Sequence, residues 1–162
     1  MNIAKARLFA IPLLAAFILS AAVPLSLTPL PLRDLSGTAA VLDNLGLNGT
    51  WVVVYLQPQC KPCTQQLQLL RTVTDAGYAS RIVIIGGGMT AREAQSQQRS
   101  VPHLAQARWY TDISRAVPRS LHLRGAPVIL GIRGKRVEWT LNGVPPKPDL
   151  LKNSVISWMR TR

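Results

Sequence analysis

The apolar residues of this chain gather in short unbroken runs with polar stretches between them, as expected of strands covered on both faces. Trp51-Val52-Val53-Val54-Tyr55-Leu56 is the strongest run, and Gln57-Pro58-Gln59 breaks it. Beyond the break, Leu67, Leu70 and Val73 recur at helical spacing, which predicts a helix over residues 64–73. Gly77 stops that helix, and Arg81-Ile82-Val83-Ile84-Ile85 reads as a second buried strand. Thr90-Ala91-Arg92-Glu93 has the form of a capping box opening a polar helix, which Pro102 ends. Residues 107–111 predict a short third strand. Residues 127–132 and 136–140 make a hairpin around Arg133-Gly134-Lys135. Pro148 opens a last helix with Leu151, Val155, Trp158 and Met159 on one face. The order β-α-β-α-β, then β-β-α, predicts an α/β layer sandwich.

The first residues belong to a different class. Lys5 and Arg7 precede Leu8 to Val23, a run without a charge, which reads as a secretory signal peptide or an uncleaved signal anchor over residues 1–22. Ser20-Ala21-Ala22 supplies small residues for cleavage after Ala22, and the run is short for a spanning helix. No cysteine follows it, which gives no support to a lipid-anchored form. Residues 23–44, with Pro24, Pro29 and Pro31, read as a Pro-rich connector and lead-in, and residues 45–162 as the folded domain. In a Gram-negative envelope the exported part would be periplasmic, or held to the inner membrane by residues 8–23. It would carry seven acids against 17 of the 19 lysines and arginines. Such a charge suits an anionic membrane surface or an acidic partner. The scatter of the bases and the export signal argue against nucleic acid.

Cys60-Lys61-Pro62-Cys63 holds the only two cysteines of the chain. The spacing puts both thiols at the start of the helix that follows the strongest strand. A disulfide closing so small a loop removes little unfolded-chain entropy, which favours a working pair over a staple. Unpaired N–H groups at the helix start and the charge of Lys61 both favour a Cys60 thiolate over its thiol. Pro62 lacks an N–H where the first turn has no use for one.

With these residues in place, the chain resembles thioredoxin-fold proteins, and among them the TlpA-like exported thiol–disulfide oxidoreductases. Leu47-Asn48-Gly49-Thr50-Trp51 resembles the family's lead into its central strand, and Cys60-Lys61-Pro62-Cys63 its CxPC site. Arg124-Gly125-Ala126-Pro127-Val128 is similar to its cis-proline loop, and Gly143 with the final amphipathic helix completes the likeness. The resemblance implies a thioredoxin-like three-layer sandwich, with a central mixed sheet and helices on both faces. It implies Cys60 as the attacking thiolate, Cys63 as the resolving thiol, and Pro127 cis and facing the sulfurs. The backbone of Ala126 would pair with an extended substrate segment. No cofactor is implied. The partners would be a cysteine-containing envelope protein and a redox partner that recharges the pair, at the membrane in one form of the reading. CxPC sites resemble the reducing branch of the family. Three positions depart from thioredoxins: Val54 stands where they bury an acid, Gln59 where they carry Trp, and Ala126 is smaller than their usual residue before the proline.

Two other chemistries compete. Gly86-Gly87-Gly88-Met89-Thr90-Ala91 satisfies G-x-G-x-x-A between a strand and a helix, with Asp112 after the next strand, the outline of a dinucleotide-binding unit. Its mid-chain place and the short sequence after it favour a plain glycine turn. Alternatively, Cys60 and Cys63 would bind a soft ion such as Cu(I) for metal delivery, with His103 or His122 as third ligand. The tryptophans at 51, 109, 139 and 158 fall on strand and helix patterns and read as core.

Overall fold

The computed structural model describes residues 25–45 and 47–161, so the predicted signal segment lies outside the described residues. The strands are β1 (Leu25–Ser26), β2 (Pro31–Asp34), β3 (Ala39–Val41), β4 (Thr50–Leu56), β5 (Ile82–Gly87), β6 (Arg108–Asp112), β7 (Val128–Arg133) and β8 (Arg136–Asn142). The helices are α1 (Lys61–Leu69), α2 (Arg71–Asp75), α3 (Ala91–Ser100), α4 (Ala116–Ser120) and α5 (Pro148–Arg160). One mixed sheet runs in the order β1-β8-β7-β4-β5-β6-β2-β3. β4 lies at its centre, parallel to β5 and antiparallel to β7.

Every residue of β4 is buried because both faces of the sheet are covered. Val52, Val54 and Leu56 face a core that includes Cys63, Leu67, Leu151, Val155 and Met159, from α1 and α5. Trp51, Val53 and Tyr55 face the other core, with Leu32, Leu42, Val117 and Leu121. The three-layer thioredoxin-like sandwich is therefore present, with helices on both faces. Arg81 ties its layers together at the start of β4. Its guanidinium donates to the Thr50 carbonyl and hydroxyl and, at 2.6 Å, to the Met159 carbonyl in the last turn of α5.

Within the segment read as a connector and lead-in, residues 25–41 contribute three strands to the sheet. β1 pairs with β8 through Leu25 and Val137, while β2 and β3 extend the opposite edge beyond β6. Leu27, Leu30, Leu32 and Leu42 are buried. These strands have two to four residues. Pro31 opens β2, one of the few strand positions a proline tolerates, and it masks the alternation that marks longer strands.

The helix after the cysteines is also broken, between Leu69 and Arg71. Thr72 and Thr74 turn their hydroxyls back onto the carbonyls of Leu69 and Arg71, a competitor for helical bonding. His103 Nε2 lies 2.9 Å from the Leu67 carbonyl, which a continuous helix would use for itself.

Candidate redox site

β4 runs out at Leu56, and a turn through Gln57, Pro58 and Gln59 delivers the chain to Cys60. Gln59 closes that turn at φ 55°, in the left-handed region. Cys60 is the N-cap of α1 and keeps an extended backbone, φ −96° and ψ 98°. The Cys63 amide donates to Cys60 Sγ at 3.2 Å and to the Cys60 carbonyl at 3.0 Å. Pro62 sits in the first turn, where an N–H would have found no partner. The two cysteines form a disulfide with an S–S distance of 2.09 Å and a Cα–Cα distance of 5.2 Å. Cys63 is fully buried in the core, whereas Cys60 is half-buried. Of the two sulfurs, Cys60 is the one a partner can reach.

The cis-proline loop comes to the same place because β7 begins where β4 ends, with Tyr55 paired to Val128. The Ala126–Pro127 bond is cis, and Gly125 precedes it at φ 108°, a conformation suited to glycine. Gly143 fixes the loop from behind by donating to the Pro127 carbonyl at 2.8 Å. The Ala126 carbonyl lies 3.7 Å from Cys60 Sγ. The disulfide sulfur has no hydrogen, so this is a packing contact. A reduced Cys60 thiol would find an acceptor there.

Lys61 follows Cys60 directly and Arg124 stands two residues before Ala126; both are exposed. Val54, where thioredoxins bury an acid, is fully buried among apolar side chains. Asp43 pairs with Lys135 at 3.2 Å, beside the β7–β8 turn and so at the opposite end of β4. What the interior does hold is Gln66. It is fully buried on the Cys63 face of α1, and neither its amide nitrogen nor its oxygen has a hydrogen-bond partner. Its spacing of three from Cys63 was the available signal, hidden within a run of glutamines. A cleft of about 640 Å³ opens beside Cys60, between the start of α1 and the outer face of α3.

The competing motifs resolve differently. Where a nucleotide phosphate would need open glycine backbone, the space is filled from within. A methyl on Gly87 would overlap the Tyr55 hydroxyl; on Gly86 it would meet Met89 Sδ at 2.6 Å; on Gly88 it would meet Arg115 Nε at 2.7 Å. Asp112 is buried and accepts the amides of Ala116 and Val117, both at 2.9 Å, which starts α4. The glycine run is a packing device. Thr90 and Glu93 do form the reciprocal capping box of α3. His103 is held at Leu67, and His122 lies exposed in the loop after α4. Neither joins the cysteines: among the described residues, no three His, Cys, Asp or Glu side chains form a group suited to a metal. Trp51 and Trp109 are core, whereas Trp139 and Trp158 are half-buried and meet edge-on at 5.9 Å.

A mixed sheet between helical layers, with a CxxC disulfide capping a helix opposite a cis-proline, is the thioredoxin-like fold. Solved structures share the architecture. One is a secreted Mycobacterium tuberculosis disulfide oxidoreductase homologous to E. coli DsbE, with a TM-score of 0.63 and 16% identity, the match covering 80% of this chain and 96% of that one. A thiol:disulfide interchange protein from Bacteroides sp. aligns with a TM-score of 0.65 and 15% identity over 84% and 89% of the two chains. StoA from Bacillus subtilis aligns with a TM-score of 0.58 and 14% identity over 83% and 99%. No family model matches the sequence, and no curated protein is significantly similar to it.

Proposed function

We propose that this chain is an exported thiol:disulfide oxidoreductase that reduces disulfides in partner proteins through Cys60 and Cys63. The observation that carries the reading is the pairing of a half-buried sulfur with a fully buried one, opposite the cis Ala126–Pro127 bond. In the reduced protein, the Cys60 thiolate attacks one sulfur of the partner's disulfide. The Cys60–partner bond forms, the partner's own S–S bond breaks, and the departing sulfur leaves as a thiolate that takes up a proton. Cys63 then loses its proton and attacks Cys60 Sγ, which restores the intramolecular disulfide and releases the second partner thiol. Two electrons pass to the partner, and a separate reductant returns them to the pair.

The helix N-terminus and Lys61 favour the Cys60 thiolate. Pro62 stiffens the first turn. Ala126 and Pro127 form the wall against which an extended partner segment lies. Gln66 offers the only polar side chain on the buried face of α1 to accompany proton loss from Cys63. Export rests on Lys5, Arg7 and the uncharged run after them, and it agrees with the secreted state of the Mycobacterium tuberculosis protein. Among the described residues no helix is long and apolar enough to cross a membrane.

Replacing Cys63 with Ser tests the mechanism. Resolution is then blocked, and partners accumulate as adducts on Cys60 that a thiol reductant releases. The Cys60→Ser chain serves as control. Adducts on neither variant, or on both equally, would refute the assignment of roles.

A further inference from the structure

The charge distribution about the disulfide carries a statement about the partner, resting on the exchange reading above. The acids of this chain are few, and most are engaged away from the sulfurs. Asp34 accepts from the amides of Ser36 and Thr38, Asp43 pairs with Lys135, Glu138 with Arg133, and Asp112 caps α4. The single acid lining the cleft beside Cys60 is Glu93, whose carboxylate already accepts the amide and hydroxyl of Thr90, at 2.7 and 2.8 Å. The rest of the cleft is largely amide and hydroxyl: Gln57, Gln59, Thr64, Ser96 and Gln97. At its mouth stands Lys61. Arg124 is exposed two residues before Ala126, whose carbonyl lies 3.7 Å from Cys60 Sγ. Among the described residues, neither cation has an ion-pair partner.

We infer that the redox partner presents its cysteine within an acidic, extended segment of protein. One arm lies in the polar cleft with a carboxylate against Lys61, and the other passes Pro127 with a carboxylate against Arg124. Exposed pairs are individually weak, so the gain is chiefly in encounter rate and choice of partner.

The test uses the reduced full-length Cys63→Ser chain in detergent and two synthetic peptides. One has its single cysteine flanked by glutamates, and the other carries glutamines in their place. Each is activated as a mixed disulfide with 2-thiopyridine. The Cys60 thiolate attacks the peptide sulfur, the Cys60–peptide bond forms, and thiopyridone leaves with the electron pair and a proton, giving the rate by absorbance. The acidic peptide is expected to react about fivefold faster at low salt. At about 0.5 M salt the two rates converge, as screening requires. Replacing Lys61 and Arg124 with Gln brings the ratio below two; the ratio cancels any change in thiol reactivity. A ratio of two or less in the starting chain, or one that survives loss of both cations, overturns the inference and leaves these charges to another anionic surface such as lipid. Reaction with neither peptide overturns the exchange reading itself.

Discussion

The hydroxyl of Tyr55 gives the sharpest quantitative check on the packing that holds the site. Tyr55 is fully buried on the α4 side of β4, against the backbone of Gly87, and its hydroxyl has no hydrogen-bond partner. Burial first, and then the nearby Asp112 charge, push its pKa up from 10.0 to about 12, with Arg115 pulling the other way. The folded protein thus holds the phenolic proton more tightly than the unfolded chain does. The resulting stabilisation is complete below pH 10 and is lost as pH rises through about 12. Its full size is about 3 kcal/mol, at about 1.4 kcal/mol per tenfold in the ionisation equilibrium. By pH 11, roughly half of it has gone. Tyr55→Phe has no such term, so urea unfolding of the two proteins from pH 8 to 11 should show wild type losing about 1 kcal/mol more than the variant. At pH 7 the variant should equal or exceed wild type by up to about 1 kcal/mol, because it removes an unpaired buried hydroxyl. Parallel pH curves, or a variant destabilised by more than about 1 kcal/mol at pH 7, would show that the hydroxyl has a partner and refute the reasoning.

Three further substitutions probe the frame. Arg81→Ala strips the donors from the Thr50 carbonyl, the buried Thr50 hydroxyl and the Met159 carbonyl, and should cost about 3 kcal/mol in chemical denaturation; a loss under about 1 kcal/mol would mean water replaces it. Gly87→Ala drives a methyl into the Tyr55 ring and should cost about 3 kcal/mol or more. Gly134→Ala, at φ 57° with open space around it, should cost only about 1 kcal/mol. Equal costs at the two glycines would mean the glycine run at the end of β5 is not a packing device.

The parts of this fold legible in the sequence are those whose signals are local. β4, β5, the β7–β8 hairpin and α5 announce themselves by unbroken runs or a helical stripe, and the capping box of α3 stands in four consecutive residues. The disulfide and the cis-proline were legible for the same reason: the cysteines stand three apart in sequence, and the proline opens a hairpin strand that pairs with β4. The N-terminal strands were not legible, since their partners β8 and β6 lie far along the chain and each strand is too short to show a period. α4 escaped because its five residues include Pro118 and it starts from Arg115 at φ 54°, with Asp112 supplying the cap from the preceding strand. Asp112 could complete the outline of the rival motif because a buried cap and a ribose-binding acid occupy the same place after a strand. Gln66 needed the three-dimensional core to show that its amide is sealed in without a partner.

The central claim is that Cys60 and Cys63 form a redox couple that donates electrons to a partner. Its most direct test is the reduction potential of the couple in the full chain, equilibrated against defined thiol buffers, with the thiols counted by mass after alkylation. The account predicts reversible formation of the Cys60–Cys63 disulfide at about −230 mV or below, in the range of glutaredoxins and thioredoxin. A value near −120 mV, where DsbA lies, would make the protein an oxidant and contradict the direction of transfer. Failure to form the intramolecular disulfide at any poise would contradict the redox reading altogether.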